Sequence, residues 1–172
     1  MYEKSKALVM ANFWVAFAAF FVAMILGLYQ VVIRSGLFPD FESHELYFAS
    51  VSTHGVLMGF VLTTFFIMGF GYYTATSALK RPLWSGSLAW VAFGVSLSGT
   101  LMAAVPLLSG QASVLYTFYP PMKAHPAFYI GATLLVIGSW LWCLEMIVST
   151  VRWKRDNPGQ VVPLAMYGTT AN

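Results

Sequence analysis

The chain has 172 residues, of which 59% are Ala, Val, Ile, Leu, Met, Phe, Trp, Tyr or Cys and only 9% are charged. Soluble proteins carry about a quarter charged residues, and at a mean hydropathy of +0.72 this chain lacks the polar surface to cover a water-facing fold. A soluble enzyme, a disordered linker and a disulfide-stapled secreted domain are excluded, and a net charge of +3 is too slight and dispersed for a nucleic-acid partner, which leaves lipid as the solvent.

Four uncharged stretches have the ~20 residues a helix needs to cross a ~30 Å hydrocarbon core. The first covers about 7–33 and ends at Arg34. Lys4 and Lys6 precede it, but it is far longer than the apolar part of a signal peptide and no small-x-small cleavage site follows, so it reads as a retained helix. The second lies within Leu46–Leu79, spans about 46–73, and stops at Lys80 and Arg81. The third covers about 83–108, where Ser109-Gly110-Gln111 signals a break. The fourth covers about 126–151, opening on Pro126, which suits a first helical turn, and closing at Arg152-Trp153-Lys154-Arg155. The expected fold class is an all-α integral membrane protein of four transmembrane helices, one membrane domain over 1–172, because a lipid-embedded backbone must bond within itself. The outer loop 109–125, with Tyr116, Phe118, Tyr119 and Pro120-Pro121, fits an interfacial segment or an ordinary aromatic belt, and 152–172 forms an inner tail. No internal repeat is visible.

Charge sets the expected orientation. With the N-terminus inside, Lys4, Lys6, Lys80, Arg81, Arg152, Lys154 and Arg155 all fall inside. Only Arg34 and Lys123 fall outside, together with Asp40, Glu42 and Glu45. This bias places both termini in the cytoplasm. Cys143 lies deep in an apolar run, without a disulfide or metal-site pattern, and reads as a small packing residue.

Of the histidines, only His54 lies within a span, roughly 12 Å below the outer surface at 1.5 Å per residue. An ionisable group at that depth is either a functional site or a neutral imidazole hydrogen-bonded to a neighbouring helix. Gly55 beside it and Gly59 one turn on let a helix or a flat macrocycle approach closely. Neutral imidazole is a common haem ligand, and its second nitrogen needs a partner, for which Ser50 one turn earlier is a candidate. Met58 projects from the same helix face as His54, so it cannot approach an iron from the opposite side and reads as packing. His44, among loop carboxylates, reads as solvated, and His125, before the fourth helix, as an interfacial hydrogen-bonder. Glu145 is either a proton-pathway carboxylate or a partner of nearby basic groups, snorkelling towards them.

The stretches YFASVSTHGVLMGFVLTTFFIMGFGYY (47–73), ASVLYTFYPPMKAHPAFYIG (112–131) and RWKRDNPGQVVPLAMY (152–167) resemble the N-terminal part of haem–copper oxidase (cytochrome c oxidase) subunit I, in its B-class, cytochrome ba-type branch. The resemblance implies the first helices of the twelve-helix-type subunit I fold, in a prokaryotic plasma membrane. It implies that His54 is an axial ligand of the low-spin haem, of type b or a, with Ser50, Gly55, Met58 and Gly59 in its surroundings. It further implies that Tyr116 lines a route towards the oxygen-reducing site and that Tyr119 and the double proline shape the loop over the haem region. The implied partners are the remaining portion of subunit I, a subunit II with a copper centre, and cytochrome c or a similar donor. The opposite axial histidine, the high-spin haem ligand and the copper histidines belong to later helices, so those cofactors are expected only with the rest of the subunit. A split subunit, a truncated gene and a self-assembling bundle each account for a chain that stops here. A nitric oxide reductase-like catalytic subunit and a non-haem transporter or scaffold are the rival readings.

Overall fold

The computed structural model describes residues 3–37, 44–115 and 118–170, with side chains from residue 5 onward in the first segment. Asp40, Glu42 and Tyr116 therefore lie outside the described residues, as does the side chain of Lys4. Within them the chain is helical: α1 (Glu3–Arg34), α2 (His44–Val56), α3 (Thr63–Ala78), α4 (Gly86–Leu108), α5 (Pro126–Asp156) and a short α6 (Leu164–Thr170). A π-helical segment, Leu57–Leu62, joins α2 to α3 into one continuous span. Four spans are long and apolar enough to cross a membrane: Ser5–Arg34, His44–Ala78, Gly86–Leu108 and Pro126–Asp156.

The helix ends follow local chemistry. Ser85 caps α4 by accepting the Leu88 N–H at 3.2 Å, so that helix starts a few residues later than the apolar run at Leu83 suggests. His125 caps α5 through Nδ1, with Pro126 in the first turn as expected. α5 continues to Asp156 because Arg152, Lys154 and Arg155 can remain helical beyond the lipid. The tail contains α6, which the sequence reading left without structure, and its Met166 is buried in one cluster with Leu8, Tyr72, Trp142 and Met146.

Two pairings build the bundle. α4 packs along α5, and α1 packs along the α2–π–α3 span. Along the first seam, a Cβ on Gly99 would lie 2.5 Å from the Gly131 carbonyl oxygen, and one on Gly131 would lie 2.5 Å from that of Gly99. Gly138 meets Ala92 and Ser96 as closely. Backbones touch there because lipid supplies no hydrophobic drive between helices, so close van der Waals contact must hold them. Trp142 Nε1 donates to the Met68 carbonyl at 3.2 Å and Tyr72 Oη to that of Ala89 at 3.3 Å, linking the two pairs. Trp14, Phe17, Phe21 and Leu28 leave the outer face of α1 apolar and exposed.

At the end bearing α2's start, the two described parts of the loop between α4 and α5 pair with each other through an isolated Ala112–Ala124 bridge. Ser52 Oγ accepts the Leu115 N–H at 2.9 Å, which ties this loop to α2. Val114 is fully buried, and the Pro120-Pro121 bond is cis. At the opposite end, Arg81 pairs with Asp156 at 2.8 Å and Arg152 lies 5.1 Å from the centroid of the Trp84 ring.

Candidate functional site

His54 sits in the last turn of α2, half-buried, facing α1. Its Nδ1 lies 2.8 Å from the carbonyl oxygen of Ala23. A carbonyl only accepts, so in the neutral ring the proton resides on Nδ1 and Nε2 keeps the lone pair. The expectation that Ser50 would partner the ring is corrected here. Ser50 Oγ donates to its own helix, to the Tyr47 carbonyl at 2.7 Å, because a serine inside a helix finds the preceding turn nearer than a side chain one turn on. Gln30 Nε2 donates to the Ser50 carbonyl at 3.2 Å, so α1 holds α2 at two points around the imidazole.

Close approach of the ring depends on α1. Ala23 is fully buried, and a Cβ on Gly27 would lie 3.1 Å from His54 Cε1 and 3.4 Å from Nδ1. Neither residue stood out in the sequence. A small residue every turn on α1 was the available signal, but it does not say which residue lies opposite.

The other site residues separate. Gly55 and Met58 are half-buried, Met58 within the π segment. Gly59 is exposed, and a Cβ there would meet nothing within 4 Å, so among the described residues nothing packs against that position. Tyr119 is 67% exposed on the loop, far from the packed role its neighbour Phe118 takes. Phe118 stacks on Phe60 at 5.5 Å and meets Phe128 edge-on at 5.2 Å. These three rings border an apolar crevice of about 330 Å³, with Val56, Ala103 and Leu135 on its walls.

His44 is exposed at the start of α2, and His125 is taken up by capping Ala127 N–H at 3.3 Å. Glu145 does not snorkel. It is fully buried, and its Oε1 accepts the Ser85 N–H at 3.0 Å and the Ser149 hydroxyl at 3.1 Å, while Ser149 Oγ accepts the Trp84 N–H. The loop before α4 brings backbone donors to the carboxyl, and Arg152 rests on Trp84 instead. Cys143 is half-buried at the edge of the core. Among the described residues, no group of three His, Cys, Asp or Glu could hold a metal ion.

Comparison with known proteins gives this geometry a family. The model of the family described as "Cytochrome C and Quinol oxidase polypeptide I" matches residues 7–172. The chain belongs to that family. A curated relative, cytochrome c oxidase subunit 1 of Thermus thermophilus, is 39% identical over 124 residues, which is 72% of this chain and 22% of the relative. A cryo-EM structure of a haem–copper terminal oxidase dimer superposes with a TM-score of 0.90 at 38% identity, covering 98% of this chain and 29% of that one. The chain thus spans less than a third of either relative. Its four spans have the architecture of the oxidase subunit I N-terminal helices. Subunits I of this family are enzymes as parts of multi-subunit membrane complexes, and haem and copper are the family's cofactors.

Proposed function

We propose that the chain is the N-terminal part of a respiratory terminal oxidase subunit I in a prokaryotic plasma membrane, with both ends cytoplasmic, and that His54 is one axial ligand of the low-spin haem, of type b or a. The observation that carries this reading is the 2.8 Å contact between His54 Nδ1 and the Ala23 carbonyl, which leaves Nε2 as the lone-pair atom of the imidazole. The uncovered Gly59 face beside it leaves room for a flat group. When bound, the haem supplies one-electron transfer between a donor such as cytochrome c and an oxygen-reducing centre.

This chain's own contribution is positional. Ala23 fixes the tautomer, Gln30 and Gly27 hold α1 against α2, and Ser52 anchors the outer loop that closes over the end of α2. The second axial ligand, the high-spin haem ligand and the copper ligands come from the remaining portion of subunit I. A subunit II with a copper centre and the electron donor complete the assembly.

The test uses the assembled oxidase. A reduced-minus-oxidised spectrum with a pyridine haemochrome assay is expected to show low-spin haem, lost in His54→Ala and kept in His44→Ala. Absence of haem from the native assembly, or a normal low-spin band in both variants, overturns the reading.

A further inference from the structure

An α-helical carbonyl is ordinarily a poor acceptor for a side chain from another helix. Each carbonyl oxygen already takes the N–H four residues on. The side chains lean towards the N-terminus, so each covers the turn before its own Cα. The side chain at position 27 therefore lies over the turn that carries the Ala23 carbonyl, and that is where the His54 ring sits. Position 27 is glycine. A Cβ built there would stand 3.1 Å from His54 Cε1 and 3.4 Å from Nδ1, closer than the ring can comfortably tolerate with its bond to Ala23 intact. Glycine within a helix weakens that helix, and this one lies well inside α1. We propose that Gly27 is a positioning residue for the haem-ligating histidine: by having no side chain it uncovers the Ala23 carbonyl, seats the imidazole on α1 and keeps the Nδ1–H···O bond short.

The inference rests on the reading of His54 as a haem ligand and gives that residue's electronics a source. An imidazole whose Nδ1–H is strongly held donates more electron density through Nε2 and stabilises the oxidised metal. Loosening the bond raises the reduction potential of the ligated haem.

The experiment is a redox titration and low-temperature EPR of the assembled oxidase carrying Gly27→Ala and Gly27→Val. The expected result is an upward shift of the low-spin haem potential with altered g-values, larger for Val, and a loss of low-spin haem per complex in Gly27→Val. Gly69→Ala is the structural control. Its Cβ would crowd Asn12 and Phe13 at 3.0 and 3.1 Å in the same pairing of α1 with the second span, away from His54. It is expected to lower thermal stability without moving the potential. If Gly27→Val fails to assemble, Gly27→Ala decides. A wild-type potential and g-values in Gly27→Ala, with the low-spin signal lost in His54→Ala, overturn the inference and leave the ligand reading standing. A low-spin signal retained in His54→Ala overturns both.

Discussion

Two ionisable side chains set inside the spans, His54 and Glu145, both meet backbone groups of another segment. His54 meets a carbonyl of α1, and Glu145 meets the N–H of Ser85. The Glu145 contact has a measurable worth. Its Oε1 accepts two hydrogen bonds in a fully buried place, so Glu145→Ala strands the Ser85 N–H and the Ser149 hydroxyl. A stranded buried donor costs about 1–3 kcal/mol, and because the Ser85 N–H is only part-buried and the deleted Oε2 accepts no hydrogen bond, thermal unfolding in detergent is expected to register a loss at the lower end of that range. Glu145→Gln keeps an acceptor oxygen and is expected to lose less. The placement of one histidine inside a span was legible in the sequence, because an ionisable group within an apolar run stands out on composition alone. Its partner was not legible. The Ala23 carbonyl belongs to every residue type alike, and the register of α1 against α2 is set by packing that no local pattern encodes. The same blindness misplaced Glu145: seven residues separate it from Arg152 in sequence, whereas its real partners lie across a loop at Ser85 and within its own helix at Ser149.

At the scale of elements, the four spans were legible because lipid forbids charge, so Arg34, Lys80-Arg81 and Arg152 mark the ends of three apolar runs, and Ser109-Gly110-Gln111 breaks the other. α6 was not, since seven residues are too few to show a helical period, and what holds it is packing on α3 and α5, with Met166 buried in the same cluster as Tyr72 and Trp153. The π segment was equally silent: Leu-Met-Gly-Phe-Val-Leu carries no residue that asks for a wider turn. The α4–α5 seam makes a sharper statement about elements. Gly138 sits against the Ala92 carbonyl and Ser96, so any side chain there must push two backbones apart. Overpacking typically costs about 1–3 kcal/mol, and Gly138→Val is expected to reach or exceed the top of that range, read as a fall in the midpoint of thermal unfolding. Gly94→Ala, on α4 where a Cβ meets nothing within 4 Å, is expected to leave that midpoint unlowered or raise it slightly, because alanine is the better helix former.

For the molecule as a whole, the apolar outer face of α1 and the open side of Gly59 fit a piece that spans under a third of its relatives. Under the proposed function, haem retention is a property of the assembly. The chain expressed alone is expected to insert and fold as helices by circular dichroism yet retain far less low-spin haem per chain than when co-expressed with the remaining portion of subunit I. Equal haem content in the two preparations would count against the proposal. The π segment bears on the whole molecule in a different way. In an α-helix each added residue swings everything beyond it by about a third of a turn, so a change of length in one span ordinarily scrambles which faces meet on either side. A π turn stores a surplus residue in its wider loop. The imidazole-bearing half of the second span and the half that meets α5 and α6 are thereby set independently. Removing one residue between Leu57 and Leu62 would straighten the span into plain α-helix while each half kept its own neighbours. That stretch is a place where the chain can change its length with the repacking confined to the segment's own contact with α1.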